Sequence, residues 1–243
     1  MIISIVNHKG RTGKTTTSVN LASALHKLRK KVLVIDLAPQ GNLSFSLGIN
    51  KFTLSIADLF LNNTALSEII IQTNSIAIAP CDISLSNVEL NISTRSDRNE
   101  LHSVKNQFDY IIIDCPPSLS LLTVNALTAS DHVIIPLQLE VLSIKGLGQI
   151  IETVTKISKK LNPTINILGV VPVMVDKRKN LNGEVLNFIT KNFTINLFDS
   201  HIRTNVKASE APSFGKSVIN YAPKSHSALD YLKLANELLY KTK

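Results

Sequence analysis

The chain has little cysteine, no tryptophan and no long hydrophobic stretch. It contains two cysteines in 243 residues, and aromatic residues make up 5% of it. Because Cys81 and Cys115 lie far apart, a disulfide scaffold and a CxxC metal site are excluded, and a reducing compartment is expected. No apolar run approaches the ~18 residues of a membrane span, and residues 1–10 turn polar too early for a secretory signal.

Basic residues outnumber acidic ones, and the excess lies in the first and last parts of the chain. The formal net charge is +8. Residues 1–50 hold 7 basic and 1 acidic residue, residues 51–170 hold 8 and 11, and residues 171–243 hold 11 and 6. A basic surplus can serve solubility alone. Its uneven distribution favours polyanion binding, with nucleotide phosphate at one end and nucleic acid at the other.

Short segments rich in Ile and Val alternate with segments of helical periodicity. The predicted strands are Ile2–Val6, Val32–Ile35, Ile76–Ala79, Tyr110–Ile113, His132–Pro136 and Ile165–Val171. The predicted helices are Lys14–Arg29, Ser84–Lys105, Leu119–Ala129, Ser143–Leu161, Leu181–Lys191 and Ser225–Tyr240. This alternation predicts an α/β fold, a doubly wound and mostly parallel sheet with helices on both faces, and no linker divides residues 1–243 into more than one domain. The final helix is expected to pack on the sheet, because its polar face is mixed and does not suit a membrane surface.

A loop rich in glycine and lysine joins the first predicted strand to the first predicted helix. It reads Asn7-His8-Lys9-Gly10-Arg11-Thr12-Gly13-Lys14-Thr15. Backbone N–H groups and the helix dipole converge there, so the loop is expected to bind phosphate, with Lys14 at the β- and γ-phosphates and the Thr15 hydroxyl on Mg²⁺. The strict pattern G-x-x-x-x-G-K-[ST] fails, because its first glycine falls on His8. A glycine turn that only caps a helix is the alternative, and the strand before and helix after favour nucleotide binding.

Two aspartates follow predicted apolar strands. Asp36 comes directly after Val32–Ile35, and Asp114 comes directly after Tyr110–Ile113. A carboxylate at such a strand end can hold the water shell of Mg²⁺. For Asp114 the alternative is a turn-capping role beside Pro116.

The loop resembles the deviant Walker A loop of the ParA/MinD ATPases, and further segments are similar to the same family, in order, from residue 2 to about residue 240. These segments are Thr15–Ala22 after the loop, Asp36–Asn42 as a first switch, Asp109–Pro117 as a Walker B strand and second switch, and Ser209–Lys216, which is typical of the Soj-like ParA branch. The resemblance implies a P-loop NTPase fold of the deviant Walker A type, ATP and Mg²⁺ as cofactors, and an ATP-sandwich homodimer. In that dimer Lys9 would reach the partner's phosphates.

The same resemblance implies roles for individual residues. The nucleotide would contact Lys9, Gly10, Arg11, Thr12, Gly13, Lys14, Thr15 and Thr16, with Pro172 and Met174 at the adenine unless they only pack at a strand end. The metal would be held by Thr15, Asp36 and Asp114. Lys9, Lys14, Asp36 and position 38 would serve catalysis.

Position 38 departs from the family pattern. The resemblance implies an aspartate that positions the attacking water, whereas Ala38 can neither accept a proton nor orient water. We therefore expect ATP and Mg²⁺ to bind and hydrolysis to be slow or absent, which would leave a long-lived dimer. The alanine is either an engineered change, which we favour because the other motif residues are intact, or a property of a naturally slow switch. Arg11, where the family usually has glycine, would be strained at positive φ, and its side chain is expected to face solvent.

Basic residues in the last third of the chain form the expected nucleic-acid surface. They are Lys177, Arg178, Arg203, Lys207 and Lys216. In Soj-like relatives the residues that align with Arg178 and Lys207 contact DNA. Because no zinc finger, helix-turn-helix or aromatic RNA-binding motif is present, binding is expected to use phosphates, without sequence preference and with strong salt dependence. A solvated basic face is the alternative.

These features predict an ATP-dependent switch that binds nonspecific DNA as a homodimer and positions a plasmid, a chromosome or a protein body such as a carboxysome. A ParB-like or McdB-like adaptor would stimulate hydrolysis, and the protein would lie in the cytoplasm on the nucleoid, without membrane contact. The alternatives are a MinD-like membrane switch and a synthetase of the dethiobiotin or cobyrinic acid amidating type. The amidating type would need a glutaminase domain, for which the chain is expected to have no room. An iron–sulfur relative would need paired cysteines, and buried cysteines are the simpler expectation.

Overall fold

The computed structural model describes residues 1–73, 75–86, 88, 98–118, 120–176, 178 and 181–242. Its strands are β1 (Ile2–Ile5), β2 (Val32–Asp36), β3 (Ile71–Gln72), β4 (Ala77–Ala79), β5 (Tyr110–Asp114), β6 (His132–Gln138), β7 (Asn166–Val175) and β8 (Ile202–Arg203). Its helices are α1 (Lys14–Lys27), α2 (Asn42–Ser46), α3 (Ile56–Leu61), α4 (Leu66–Ile69), α5 (Arg98–Lys105), α6 (Leu121–Ala129), α7 (Val141–Lys160), α8 (Leu181–Asn192), α9 (Val206–Glu210), α10 (Val218–Tyr221) and α11 (His226–Lys241), with a 3₁₀ turn at Ala211–Phe214. Of the helix predicted over Ser84–Lys105, residues 87 and 89–97 lie outside the description.

The strands form one sheet in the order β3-β4-β2-β5-β1-β6-β7-β8. Neighbouring strands are parallel except for β3, which pairs antiparallel with β4. Along β1, Ile2 packs into the hydrophobic cluster on one face and Ile3 and Ile5 pack into the cluster on the other. A parallel sheet is stable when helices cover both faces, and this explains strands that are apolar throughout. The predicted fold class is confirmed.

The last helix, α11, packs on the body of the protein through its apolar side, as predicted. Ala228, Leu234 and Leu238 are fully buried there. The buried Tyr231 hydroxyl lies 3.4 Å from the Thr17 hydroxyl of α1. Helix α11 therefore covers α1, the helix that follows the glycine and lysine loop, which is called the phosphate loop below. Within the described ranges, no helix is long and apolar enough to cross a membrane.

Candidate nucleotide-binding site

The glycine and lysine loop lies at the carboxyl edge of the sheet, between β1 and α1. Because β1 pairs with both β5 and β6, the loop emerges at the centre of that edge. Gly13 precedes the helix at φ 77°, a left-handed conformation that glycine adopts without steric cost. The amides of the first helical turn, which have no partners inside a helix, therefore lie at the loop, as phosphate binding requires.

Arg11 is the strained residue of the loop. Its φ of 60° is left-handed, and this costs a residue with a Cβ roughly 1–2 kcal/mol. Its side chain is exposed, so both expectations for Arg11 are confirmed. Thr12, by contrast, is buried, and its hydroxyl donates to the Lys9 carbonyl oxygen at 3.2 Å, which fixes the curve of the loop.

The two lysines of the loop have different surroundings. Lys14 is 7% exposed, and its Nζ donates to the Lys9 carbonyl oxygen at 2.9 Å. Burial lowers the pKa of Lys14, while the charge of Asp114 opposes that shift. Lys9 is half-buried, and among the described residues none binds its ammonium group. Lys14 is thus built into the loop, whereas the Lys9 side chain stays available, and its action on a partner's phosphates remains a prediction.

Asp114 connects the end of β5 to the first turn of α1. Its Oδ2 accepts a hydrogen bond from the Thr15 hydroxyl at 2.6 Å, and its Oδ1 accepts one from the Ser18 hydroxyl at 2.9 Å. Burial raises the pKa of Asp114 to about 6, although both hydroxyls and Lys14 lower it. The structure thus brings together two of the three predicted metal residues, and their oxygens are of the hard type that Mg²⁺ prefers.

The protein supplies few ligands for a metal at this point. In the described part of the chain, no group of three or more His, Cys, Asp or Glu side chains could hold an ion. Mg²⁺ commonly relies on one or two protein oxygens, several waters and the phosphates of a nucleotide. Thr15 and Asp114 fit that kind of site, in which the protein supplies only part of the metal's ligands.

Asp36 lies beside Asp114 in the register of β2 and β5, but its contacts differ. Its Oδ1 accepts the Ala38 amide at 3.1 Å, and its Oδ2 accepts the Ser44 amide at 3.0 Å and the Ser44 hydroxyl at 2.9 Å. Burial and the charge of Asp114 raise the pKa of Asp36 to about 7. Asp36 therefore fastens the loop that follows β2, and its part in catalysis and in the metal shell stays a prediction.

Ala38 occupies a tight turn of that loop. Besides the bond from its amide to Asp36, its carbonyl oxygen accepts the Gly41 amide at 2.8 Å. Gly41 has φ 61°, and a Cβ there would lie 2.7 Å from the Cys81 carbonyl oxygen, so only glycine fits. Any side chain at position 38 is consequently held at a fixed place by the turn.

The two residues predicted at the adenine lie in different surroundings. Pro172 is buried within β7, opposite Leu137 of β6, so it packs in the sheet, and its place at the adenine stays a prediction. Met174 is 43% exposed, and its Sδ accepts a hydrogen bond from Gln138 at 2.7 Å. Its Cε lies 3.7 Å from the place of a Cβ on Gly13, which puts Met174 beside the phosphate loop.

The predicted DNA-binding residues differ in their ion pairs and in how exposed their side chains are. Lys177 lies outside the described residues. Arg203 is held by the buried Asp230 through Nε at 2.9 Å and Nη2 at 2.6 Å, and its contact with DNA stays a prediction. Arg178 also bonds an aspartate, at 2.7 Å, but its side chain is 89% exposed.

Two further cations of that prediction lie at the surface after β8. Lys207 is exposed, and its Nζ bonds Glu210 at 2.8 Å and lies 5.7 Å from the centre of the Tyr221 ring. Lys216 is exposed as well. Arg178, Lys207 and Lys216 therefore stay accessible to a polyanion.

Sequence reasoning missed the two serines that hold the site carboxylates. Ser18 follows Lys14 by one helical turn and reaches Asp114, and Ser44 follows Asp36 by eight residues and reaches it across the turn. Helical spacing could have indicated Ser18, but no local pattern points to Ser44. Both cysteines are buried, as expected, and burial raises the pKa of the Cys115 thiol to about 12.

Comparisons with known proteins match this site and fold. A family model described as an AAA domain matches residues 1–167. The chain is 43% identical to the sporulation initiation inhibitor protein Soj of Bacillus subtilis over 98% of its length and 97% of that protein. The chain belongs to the ParA/Soj family of deviant Walker A ATPases. It is also 38% identical to the chromosome partitioning protein ParA of Caulobacter vibrioides, over 98% of this chain and 93% of that one.

Solved structures of ParA/Soj relatives share the whole fold. The cell division ATPase MinD of Pyrococcus furiosus superposes with a TM-score of 0.85 at 26% identity, over 98% of both chains. A protein named cobyrinic acid a,c-diamide synthase from Mycobacterium smegmatis superposes with a TM-score of 0.87 at 31% identity, over 100% of this chain and 94% of that one. A protein of that name thus has nearly the same length as this chain, and the expectation that the chain has no room for a glutaminase domain stays a prediction.

Proposed function

We propose that this ParA/Soj protein is an ATP-dependent switch that dimerises around ATP, binds DNA without sequence preference and positions a cargo. The observation that carries the proposal is the contact between Thr15 and Asp114 beside the buried Lys14. It gathers a hydroxyl, a carboxylate and an ammonium group where the helix amides lie, as a nucleotide with Mg²⁺ needs. The synthase relative from Mycobacterium smegmatis has been crystallised with an ATP analog and magnesium.

Dimerisation is the step that the Lys9 side chain supports, since no described residue binds its ammonium group. A cation in that position can complete the charge balance on phosphates bound to a second chain, much as an arginine finger does. Two copies also present two basic surfaces at once, so DNA affinity rises through multivalency when the dimer forms. Nucleotide binding and DNA binding are coupled in this way without a contact between the two sites.

Slow hydrolysis is the part of the proposal that rests on Ala38. The residues that would bind ATP and Mg²⁺ are in place, and bound Mg²⁺ would neutralise charge that develops on the phosphates. Ala38 has no side-chain group that could orient water. The Asp36 carboxylate beside it does not supply one, since it accepts hydrogen bonds from Ala38 and Ser44. We infer a dimer that persists until an adaptor of the ParB or McdB type promotes its turnover, on the nucleoid in the cytoplasm.

DNA binding with and without ATP tests the switch. The protein is titrated onto a labelled duplex of arbitrary sequence at low and at higher salt, with Mg²⁺ present throughout. We expect ATP to raise the affinity and salt to lower it, because phosphate contacts release counterions. The matched control is Lys14→Gln, which removes the buried ammonium and should abolish the ATP effect only. Affinity that ATP does not change, or that salt does not change, contradicts the proposal.

A second function has one observation in its favour, the fold shared with the protein named cobyrinic acid a,c-diamide synthase. An amidating enzyme transfers ammonia from glutamine to a carboxylate that ATP has activated. Turnover of ATP that requires glutamine and a cobyrinic acid substrate would replace the switch proposal. Turnover that is indifferent to both would leave the switch as the function of this fold here.

A further inference from the structure

A groove of about 880 Å³ lies at the amino edge of the sheet, at the end of α1 opposite to the phosphate loop. Its walls come from the C-terminal end of α1, the start of β2, the segment between β3 and β4, and the residues before β5. Since α1 has 14 residues, the groove and the phosphate loop are about 21 Å apart at 1.5 Å per residue. The groove is therefore separate from the nucleotide site.

Four basic residues line this groove, Lys27, Arg29, Lys30 and Lys31, together with His26. None of the other described residues that line it is acidic. Within the described ranges no carboxylate forms an ion pair with these side chains, whereas Arg178, Arg203 and Lys207 each have one. Cations in the last turn of a helix complement its dipole, but residues 29–31 lie beyond that turn. The helix end thus carries more positive charge than its dipole explains.

Arg29 stands where glycine would be the residue of least strain. Its amide bonds the His26 carbonyl oxygen at 2.8 Å, and the Lys30 amide bonds the Leu25 carbonyl oxygen at 3.1 Å. These are the two bonds of a Schellman motif, whose central residue is usually glycine. Arg29 adopts φ 67° there, so the chain places a positive charge at the mouth of the groove at a cost in backbone strain.

Ser23 adds an unsatisfied donor to the same wall. It is 3% exposed, and its hydroxyl has no hydrogen-bond partner among the described residues. It lines the groove one helical turn before Lys27. A buried hydroxyl without a partner is unfavourable, and a phosphate oxygen is an acceptor that would satisfy it. The exposed Asn220 of α10 supplies an amide from the facing wall.

We propose that this basic groove is a second phosphate-binding surface, which takes the backbone of duplex DNA. Of the apolar side chains in its lining, Val32, Ile76 and Ala77 are buried and Phe108 is half-buried, so an acidic peptide would find one apolar anchor there. Compact charges with polar neighbours suit phosphates, which need no anchor. The site goes beyond the proposed function, which places DNA on Arg178, Lys207 and Lys216, and it is present in a single chain without ATP.

The test is DNA affinity of the double variant Lys30→Gln/Lys31→Gln against Lys159→Gln/Lys160→Gln. The control pair lies exposed at the end of α7 and changes the net charge by the same amount. Both variants are made in the full chain and are measured with and without ATP. We expect the groove variant to bind DNA more weakly than the control variant, by the same factor for duplexes of unrelated sequence. Its plot of log affinity against log salt should be less steep by about 2, since each lost phosphate contact lowers that slope by ~0.9.

Two further variants separate binding from folding. Arg29→Gly removes a charge and relieves strain, and Ser23→Ala removes a hydroxyl that has no internal partner. Both should melt no lower than the parent chain and bind DNA more weakly. Equal DNA affinity and salt slope for the groove and control variants would overturn the proposal.

Other ligands would show themselves in the same set of proteins. Loss of binding to inorganic tripolyphosphate or to poly-glutamate, with DNA affinity equal to that of the control, would assign the groove to a free phosphate compound or to an acidic protein and would overturn the DNA site. If ATP fails to raise DNA affinity but the groove variant still loses it, the switch fails and the groove remains a DNA site.

Discussion

The ends of β2 and β5 are neighbours in the sheet, yet their aspartates serve different partners. Asp36 and Asp114 share one register position and are both fully buried. Asp114 accepts hydroxyls from α1 next to the phosphate loop, whereas Asp36 accepts the amide of Ala38 in the loop after β2 and the amide and hydroxyl of Ser44 in α2. One carboxylate therefore belongs to the nucleotide site, and the other shapes a segment next to it.

This difference shows that a carboxylate at a strand end has no fixed role. The role depends on the segment that lies against the strand end. The end of β5 faces the hydroxyls of a helix across the sheet edge, whereas the turn after β2 folds back onto its own aspartate. The residue that would give the β2 end a free carboxylate is position 38, and it is alanine. The predictions below test this contrast, from the largest expected effect to the smallest.

Ala38→Asp should raise ATP turnover by about 10²–10⁴-fold, the usual contribution of a positioned acid or base. The turn around Ala38 is held by Asp36 and Gly41, so the new carboxylate would have a defined place. Turnover is measured as phosphate release with Mg²⁺ and DNA present. Ala38→Asn is the control of similar size, and it should gain little. Equal rates for both variants would remove position 38 from the water-positioning role.

Asp36→Ala should destabilise the protein by about 2–4 kcal/mol, because each buried donor left without an acceptor costs ~1–3 kcal/mol. The amides of Ala38 and Ser44 and the Ser44 hydroxyl would lose their partner. Urea unfolding of the nucleotide-free protein measures the loss. Asp36→Asn keeps an acceptor oxygen and should lose less. Equal stability for the alanine variant and the parent would mean that the loop does not depend on Asp36.

Asp114→Ala should lower affinity for ATP with Mg²⁺ by roughly 10–100-fold, the usual effect of losing a group that orients a metal ligand. The Thr15 hydroxyl would no longer be held by the carboxylate. Nucleotide binding by calorimetry, with Mg²⁺ and with EDTA, provides the measurement. Ser18→Ala, which removes the other partner of the carboxylate, is the milder control. If the affinity changes equally in EDTA, Asp114 does not act through the metal.

The pH dependence of stability should reflect the raised pKa of Asp36. Burial and Asp114 move it from 3.8 to about 7, so the folded state keeps a proton that the unfolded state has lost. Its contribution to stability is complete below the unfolded pKa and disappears as pH rises to about 7. Asp36→Asn does not titrate and should gain stability relative to the parent as pH rises from about 4 to about 7. A constant difference across this range would contradict the raised pKa.

The sequence predicted the fold and the phosphate loop well, because both follow from local patterns. Apolar runs marked the longer strands, and the loop motif placed Gly13 directly before α1 and Lys14 and Thr15 in its first turn. Contacts between distant segments were not visible. The ion pair of Arg203 with Asp230 depends on α11 packing beside β8, and the burial of Pro172 depends on its pairing with β6. Two-residue strands such as β3 have too few residues for a periodic signal.

The packing of α11 on α1 has a consequence for synthesis on the ribosome. Thr17 and Asn20 of the helix after the phosphate loop meet Tyr231 and Val218, which emerge from the exit tunnel some 200 residues later. At 5–20 residues per second this interval lasts roughly 10–40 s. The newly made loop thus remains for that interval without the residues that cover its helix.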